Sequence, residues 1–511
     1  MANDTDSLGF YAAEVLQKTA ENQPEKIALI AKEETLSFSA LNQRVHSLAA
    51  HLQQEGVRQG DRVGVLLPNS TAIPLSYFAT QKIGAVTVIL DARLKGKELQ
   101  AVLKDADVKL LIVHQQLLAE VEESFKDRSA MPLWIVDGEG ERSFEKRFSA
   151  ARRTASPSNL SADDDALILY TSGTTGEPKG VVLSYRNLLQ YPLVMRENRI
   201  TDASTVRGCV LPMSHIVGPV LCNELAERGY TLVIFEQINP ITLLEGIQKY
   251  RINVFEGVPV VFQLLLGVKH LASFDTSSMK IAAMMGTSVP FSLLRAFHAA
   301  QPHIKVIQGY GLTETSPMIT LVEPEKAQVK MGSIGCAVPG IEVKIIDQNG
   351  NELGVDEPGE IITRGPHVMK GYFRRPDATA ERIRHGWLYT GDVGKRDADG
   401  YYYHLGRRDD MIITGGLNVY PAEVENLIYT YPDVQETVVF AIPDTKRGAV
   451  IGAAIVPRPG AVVVEKELLG FLRANLANFK VPDKIVVREA LPRTSSGKTI
   501  RDAETLMAGP G

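Results

Sequence analysis

Small hydroxyl residues and glycines crowd one stretch of this 511-residue chain, Tyr170-Thr-Ser-Gly-Thr-Thr-Gly-Glu-Pro-Lys-Gly180. It directly follows a predicted buried strand. Backbone N–H groups and the hydroxyls of Thr171, Ser172, Thr174 and Thr175 can therefore converge on phosphate oxygens, with Gly173 and Gly176 allowing close approach. Lys179 adds a cation. A plain strand-to-strand turn is the usual reading of a lone Gly/Ser-rich loop, and so long a run of specialised positions argues against it. Three other chemistries fail on spacing. The only Gly-Lys-Thr, Gly497-Lys498-Thr499, has Pro492 where a Walker A loop needs its first glycine. Gly309-Tyr-Gly-Leu-Thr-Glu314 ends in Glu where a dinucleotide fingerprint has Gly. Ser288 follows Gly286 but precedes Pro290, so no nucleophile elbow forms there.

The elements that must carry these residues read as α/β. From residue 10 to about 136, amphipathic helical stretches alternate with short β-rich runs at 26–31, 62–66, 85–89 and 108–113, the order of a parallel sheet. Residues 128–166 are polar and Ser-rich, a surface connection. A second α/β series follows, with strands expected at 166–170, 206–211, 231–235, 254–257, 281–285 and 305–308. From 334 to about 404 the pattern turns strand-like and Gly-rich, a small β-barrel-like unit in which Tyr401-Tyr402-Tyr403 reads as sheet packing. Beyond Gly406 a fresh unit starts, with strands near Met411, Val438 and Ala453 and helices from Pro421 and Val464. The expectation is a large N-terminal domain, 1–408, of two α/β subdomains plus the β unit, and a small mobile α+β domain, 409–511.

Composition excludes whole classes. Apolar residues are 44% and charged residues 23%, ordinary globular usage. With 60 acids against 55 bases the net charge is -5, which leaves no electrostatic footprint for duplex nucleic acid or an anionic membrane. Cys209, Cys222 and Cys336 fit neither a CxxC metal pair nor a disulfide framework and read as reduced thiols. The start is acidic where a secretory signal is basic, and no apolar run approaches the ~18 residues of a membrane helix. Cytoplasm is the expected location.

At this point the chain resembles the acyl-adenylate-forming enzymes: AMP-forming acyl-CoA synthetases, luciferases and peptide-synthetase adenylation domains. Residues 170–180 look like that family's phosphate loop and Gly309-Tyr-Gly-Leu-Thr-Glu-Thr315 like its adenine and magnesium motif. Trp387-Leu-Tyr-Thr-Gly-Asp392 looks like its ribose motif, Gly406-Arg-Arg-Asp-Asp410 its hinge, and Pro492-Arg-Thr-Ser-Ser-Gly-Lys498 its terminal lysine motif. The motifs stand in the family's order along nearly the whole chain.

The resemblance implies ATP, Mg2+ and coenzyme A. A carboxylate attacks the α-phosphorus of ATP, giving acyl-AMP and pyrophosphate, and a thiol then attacks the mixed anhydride; positioning and charge neutralisation dominate such a displacement. Residues 171–179 would hold the departing phosphates, Glu314 would ligate magnesium and Thr313 would bond the α-phosphate. Tyr310 would stack on adenine, Asp392 would accept the ribose hydroxyls and Arg407 would support them. Gly286 and Gln308 are counted with the same nucleotide set. Lys498 would swing in to stabilise charge during adenylation. Asp409 would be the hinge that exchanges it for the loop 414–418, where Gly415 and Gly416 admit the pantetheine arm. His215 sits where the family places a histidine beside the acyl carboxylate, although Ser214 replaces the aromatic residue many relatives carry before it.

The expected reaction is acid plus ATP plus CoA giving acyl-CoA, AMP and pyrophosphate. A stand-alone adenylation enzyme loading a carrier protein, a luciferase-like oxygenase and a silent nucleotide-binding regulator are the alternatives; monomer and homodimer both stay open. For the acid, Gly311 occupies the position where acetate-using relatives carry a tryptophan that closes the acyl pocket, so the floor is expected to be open. Val258, Phe262, Met284, Met285 and Met318 make the expected wall apolar, with no arginine in those stretches. A medium-to-long fatty or ring-bearing acid follows, dicarboxylates being disfavoured and Gly311→Trp shifting preference towards acetate.

Overall fold

The computed structural model describes residues 11–32, 34–124, 131–149, 160–172, 178–287, 289–458, 460–493 and 499–508. Its framework is two mostly parallel sheets. Strands such as Val86–Leu90 and Leu110–His114 are buried along their whole length, which is why they read as unbroken apolar runs: helices cover both faces of the sheet. The seven-stranded sheet runs Gly371–Tyr372, Pro178–Ser184, Asp165–Ser172, Val86–Leu90, Arg62–Leu66, Leu110–His114, Leu133–Val136. The nine-stranded sheet runs Cys336–Ala337, Thr320–Val322, Lys305–Tyr310, Ile281–Met284, Val254–Gly257, Val206–Cys209, Thr231–Ile234, Ile27–Ala31, Glu34–Ser37.

Sheet membership corrects the expectation of two consecutive α/β series. Ile27–Ala31, read as the start of the first series, pairs in parallel with Thr231–Ile234 in the nine-stranded sheet. Asp165–Ser172, read as the start of the second, pairs with Val86–Leu90 in the seven-stranded sheet. Strand periodicity reports burial and says nothing of which distant strand is the partner.

The helix Tyr185–Glu197 begins at a capping box in which the Ser184 and Asn187 side chains each accept from the other's backbone N–H. Asn187 Nδ2 also donates to the carbonyls of Pro366 and Val368, both at 2.8 Å, and so ties the segment after the strand Gly359–Arg364 to this helix. The β unit is a five-stranded antiparallel sheet containing Gly359–Arg364, Trp387–Arg396 and Tyr402–Arg407. Tyr402 packs in it as expected, buried, with its hydroxyl donating to Val343 O at 2.9 Å. The C-terminal domain has its own sheet, led by Val434–Asp444 and Gly448–Pro457, and its own cores, one of which packs Val424, Val439, Ile451, Ile455 and Leu468. No described helix is long and apolar enough to cross a membrane.

Candidate active site

Adjacent parallel strands of the nine-stranded sheet, in the order Lys305–Tyr310, Ile281–Met284, Val254–Gly257, Val206–Cys209, carry Tyr310, Gly286, Val258 and His215 at or beyond their carboxyl ends. Three adjacent strands of the other sheet, Asp165–Ser172, Val86–Leu90 and Arg62–Leu66, lead into the phosphate loop, Asp91 and Asn69. Carboxyl-end loops are where open α/β sheets bind ligands, because helix starts and uncommitted backbone N–H groups collect there. The two rows touch. Arg93 lies 3.3 Å from His215 Nε2, and Asn69 bonds the backbone of Leu211 and Met213.

Gly173, Thr174, Thr175 and Gly176 lie outside the described residues, as does Lys498. The flanks show what joins at the phosphate loop: Thr171 pairs with Lys179 and Ser172 with Pro178 in antiparallel register. The described flanks are thus the two arms of an antiparallel hairpin, and the residues expected to hold phosphate lie between them in sequence. Thr171 Oγ1 reaches Lys179 O at 3.4 Å across its neck, and the Lys179 ammonium stands 5.6 Å from the Tyr372 ring centroid.

Tyr372 belongs to the short edge strand beside this hairpin, in register with Val181. Its hydroxyl donates to Glu314 Oε1 at 2.9 Å. Burial, with the Glu314 charge added, holds the Tyr372 phenol well above its ordinary range, so it stays a donor. Glu314 and Thr313 lie half-buried on the single turn Thr313–Thr315 that follows Tyr310. Magnesium with a nucleotide takes one or two carboxylates and fills its remaining positions with phosphate oxygens and water. A half-buried Glu314 held through one oxygen fits that requirement.

Asp392 is 2% exposed and is the centre of the second cluster. Its Oδ2 accepts from Tyr310 Oη at 2.6 Å, and its Oδ1 faces Arg407 Nε at 3.0 Å and His404 Nε2 at 3.5 Å. Burial pushes the Asp392 carboxyl up, but His404, Arg407 and Tyr310 together hold it below its ordinary value. It is a fixed anion. Tyr310 takes one acceptor position on Oδ2 while Arg407 and His404 face Oδ1, so the paired ribose contact expected of Asp392 narrows accordingly. Arg407, expected beside the ribose, is committed to Asp392 and to Thr390 O at 3.1 Å. The Tyr310 ring lies 5.7 Å from the His404 ring at 30° and packs against the main hydrophobic core. Gln308, two residues before Tyr310 on the same strand, is 6% exposed, and its Nε2 has no hydrogen-bond partner among the described residues.

The acyl residues divide. Val258 is half-buried and stands against Gly286, where an added Cβ would come within 3.3 Å of its Cγ1. Phe262 is not a wall: it is fully buried between Phe255 and Phe297, with ring centroids at 5.9 and 5.6 Å, inside a hydrophobic core. Met318 packs on Gly309, where a Cβ would meet its sulfur at 2.7 Å. Gly311 is the clearest correction. A Cβ there would fall 1.5 Å from Pro317 O, so the expected open floor is filled by backbone, and the glycine is required by that close approach. Gly415 and Gly416 have a local reason as well: they form the two-residue tip of the hairpin Ile412–Thr414/Leu417–Val419 at φ +57° and +82°. Nothing lies within 4 Å of a Cβ added at either. Asp409 is exposed between the strands Tyr402–Arg407 and Ile412–Thr414.

Sequence reasoning missed Tyr372, His404, Arg93, Asp91 and Asn69. Arg93 Nε donates to Asp91 Oδ1 at 2.8 Å, and its second nitrogen holds Oδ2 at 2.5 Å, beside a 45%-exposed His215. Burial would raise the Asp91 carboxyl, but Arg93 and His215 keep it below its ordinary value. An arginine therefore does stand beside the expected acid site, with its charge met by Asp91. No local spacing signals any of these residues.

The AMP-binding enzyme family model matches residues 16–373, and the model for the AMP-binding enzyme C-terminal domain matches residues 423–498. A feruloyl-CoA synthase of an Amycolatopsis species is 35% identical over 492 residues, covering 95% of this chain and 96% of that protein. A long-chain-fatty-acid–CoA ligase of Bacillus subtilis is 32% identical over 521 residues, covering 95% and 92%. Among solved structures, an anthranilate CoA ligase in complex with anthranoyl-AMP superposes with a TM-score of 0.89 at 27% identity, covering 97% of this chain and 96% of that one.

Proposed function

The chain belongs to the AMP-binding enzyme family and is an ATP-dependent, AMP-forming carboxylate–CoA ligase, and from that premise we propose that its acid is ring-bearing or a medium-to-long fatty acid. One observation carries the reading: the row of strand ends passes from the charged cluster of Tyr310, Asp392, Arg407 and Glu314 to the apolar Val258 and on to His215. A nucleotide suits the charged end and an acyl chain the apolar end. Each methylene removed from water contributes ~0.8 kcal/mol, so selectivity rises with apolar size beyond acetate. The feruloyl-, fatty-acid- and anthranilate-using relatives all take acids of this kind.

In this reading Glu314 ligates the magnesium that neutralises the phosphates, Tyr310 stacks on adenine, Asp392 takes a ribose hydroxyl and Gln308 offers its amide to the bound nucleotide. Thr171, Lys179 and the loop between them hold the departing pyrophosphate, and Thr313 the α-phosphate. His215 lies by the acid. Lys498 stabilises charge in adenylation on the strength of its motif. We place the domain boundary at 408/409, with Asp409 the hinge that turns the Gly415-Gly416 hairpin towards the site for thioester formation.

Pyrophosphate release in the presence of CoA, measured across ferulate, indoleacetate, anthranilate, decanoate, acetate, malonate and oxalate, tests the acid. The highest kcat/KM is expected on a ring-bearing or long acid. A maximum on acetate, malonate or oxalate overturns the pocket reading.

A further inference from the structure

We propose that Asn69 is a positioning residue for the acid site, holding the His215 loop in place from the opposite sheet; this rests on the reading of His215 given above. Asn69 follows the strand Arg62–Leu66 of the seven-stranded sheet. Its side-chain hydrogen bonds go to the nine-stranded one. Nδ2 donates to Leu211 O at 2.9 Å and to Phe235 O at 3.0 Å, and Oδ1 accepts from Met213 N at 2.7 Å. Leu211 and Met213 flank Pro212 in the segment that leads to His215, and Phe235 follows the neighbouring strand Thr231–Ile234.

The chemistry singles out an amide. Two carbonyls need two donors and a backbone N–H needs an acceptor, and a carboxamide carries both on one planar group. A carboxylate of the same shape has no donor to offer and sets a negative charge against two carbonyl oxygens. A leucine of similar volume satisfies none of the three.

The clamp bears on His215 because the chain beyond it is tightly wound. His215 N donates to Pro212 O at 3.0 Å and Gly218 N to His215 O at 3.0 Å. A Cβ on Gly218 would meet Met213 O at 2.0 Å, so the turn from Met213 to Gly218 has no room to adjust. Fixing the backbone at 211 and 213 therefore fixes where the imidazole leaves it. Arg93, held by Asp91 on the next loop of the same opposite sheet, meets the ring from the side at 3.3 Å. Backbone and ring are thus both referenced to the seven-stranded sheet, and a shift of about 1 Å in such a group is enough to cost about 100-fold in rate.

The test uses the full-length enzyme and the best acid from the panel, with KM for the acid, KM for ATP, kcat and Tm measured for Asn69→Asp, Asn69→Ser, His215→Ala and Asn69→Asp/His215→Ala. The expected result is a KM for the acid raised about 10-fold or more in Asn69→Asp with KM for ATP within twofold, partial rescue in Asn69→Ser, and a double variant no worse than His215→Ala. Asn69 variants that lower Tm while leaving KM for the acid unchanged, or that raise both KM values equally, overturn the proposal and leave His215 standing, provided His215→Ala raises KM for the acid. An unchanged KM for the acid in His215→Ala overturns the His215 reading, and this proposal with it.

Discussion

The Tyr372 hydroxyl donates a 2.9 Å hydrogen bond to Glu314 Oε1 while the Lys179 ammonium stands 5.6 Å from the centroid of the same ring. One side chain therefore joins the cation at the neck of the hairpin Asp165–Ser172/Pro178–Ser184 to the carboxylate proposed for magnesium. A hydrogen bond to a charged group is worth ~1.5–3 kcal/mol, and its loss leaves Glu314 free to rotate away from the metal position.

Tyr372→Phe keeps the ring beneath Lys179 and removes only the hydroxyl. The expected outcome is kcat/KM for MgATP lowered about 10-fold and a higher magnesium concentration at half-maximal rate, read by pyrophosphate release. KM for the acid should hold. A magnesium dependence unchanged from the parent would dissociate Tyr372 from Glu314's role.

Arg207 carries a second prediction, on stability. It is fully buried with Glu224 and Glu256, its guanidinium donating to Glu224 Oε2 at 2.6 Å, to Tyr191 Oη at 2.8 Å and to Glu256 Oε2 at 2.5 Å. Burial raises the Glu224 carboxyl, partly offset by Arg207. Arg207→Leu leaves two buried carboxylates without their cation and should destabilise by ~3–5 kcal/mol. Replacing all three groups by apolar residues of similar volume should cost less than the single change, since no charge is then stranded. Denaturant unfolding of the two variants decides it; a single variant as stable as the parent would show that the cation is not needed there.

Contiguous chemistry was legible in the sequence and distant pairing was not. The motifs around Tyr310, Glu314 and Asp392 could be read because each carries its residues within a few positions on one strand end. Their partners could not: Tyr310 meets Asp392 across 82 positions, Tyr372 meets Glu314 across 58 and Asn69 meets Met213 across 144. The same limit misassigned the strand Ile27–Ala31, whose burial pattern was plain and whose partner at Thr231–Ile234 was not. Gly311 failed for a related reason. A glycine that leaves room for a ligand and a glycine that admits Pro317 look identical along the chain.

His367 sets a pH dependence of stability. It is fully buried, Nε2 pairs with Thr363 Oγ1 at 2.9 Å, and burial lowers its pKa from 6.5 to about 3. Between those values the unfolded chain binds a proton that the folded chain refuses, so this contribution is complete above pH 6.5 and is lost as pH falls towards 3. From pH 7 to pH 5 that amounts to about 2 kcal/mol. His367→Asn should flatten the stability profile by that amount over this range, as read from urea midpoints at each pH. An unaltered slope would assign the acid sensitivity to other groups, His46 among them, whose pKa burial lowers to about 4.

Gly311 yields the last prediction, opposite in kind to the one its place in the motif suggests. With Pro317 O 1.5 Å from the position of an added Cβ, even alanine cannot enter unless the turn between Tyr310 and Met318 is rebuilt. That turn carries Thr313 and Glu314, is closed by Ile319 N donating to Tyr310 O at 2.8 Å, and is bonded to the rest of the domain through Met369 N to Glu314 O at 2.9 Å. Overpacking of this kind costs ~1–3 kcal/mol and displaces the groups around it. Gly311→Ala and Gly311→Trp should therefore both lose activity on every acid of the panel and raise KM for ATP, without changing the ranking of acids. The discriminating number is the ratio of kcat/KM on acetate to that on the best acid. A ratio that rises about 10-fold or more in Gly311→Trp, with KM for ATP preserved, would mean that Pro317 yields its place to a side chain and that position 311 sets acyl length after all.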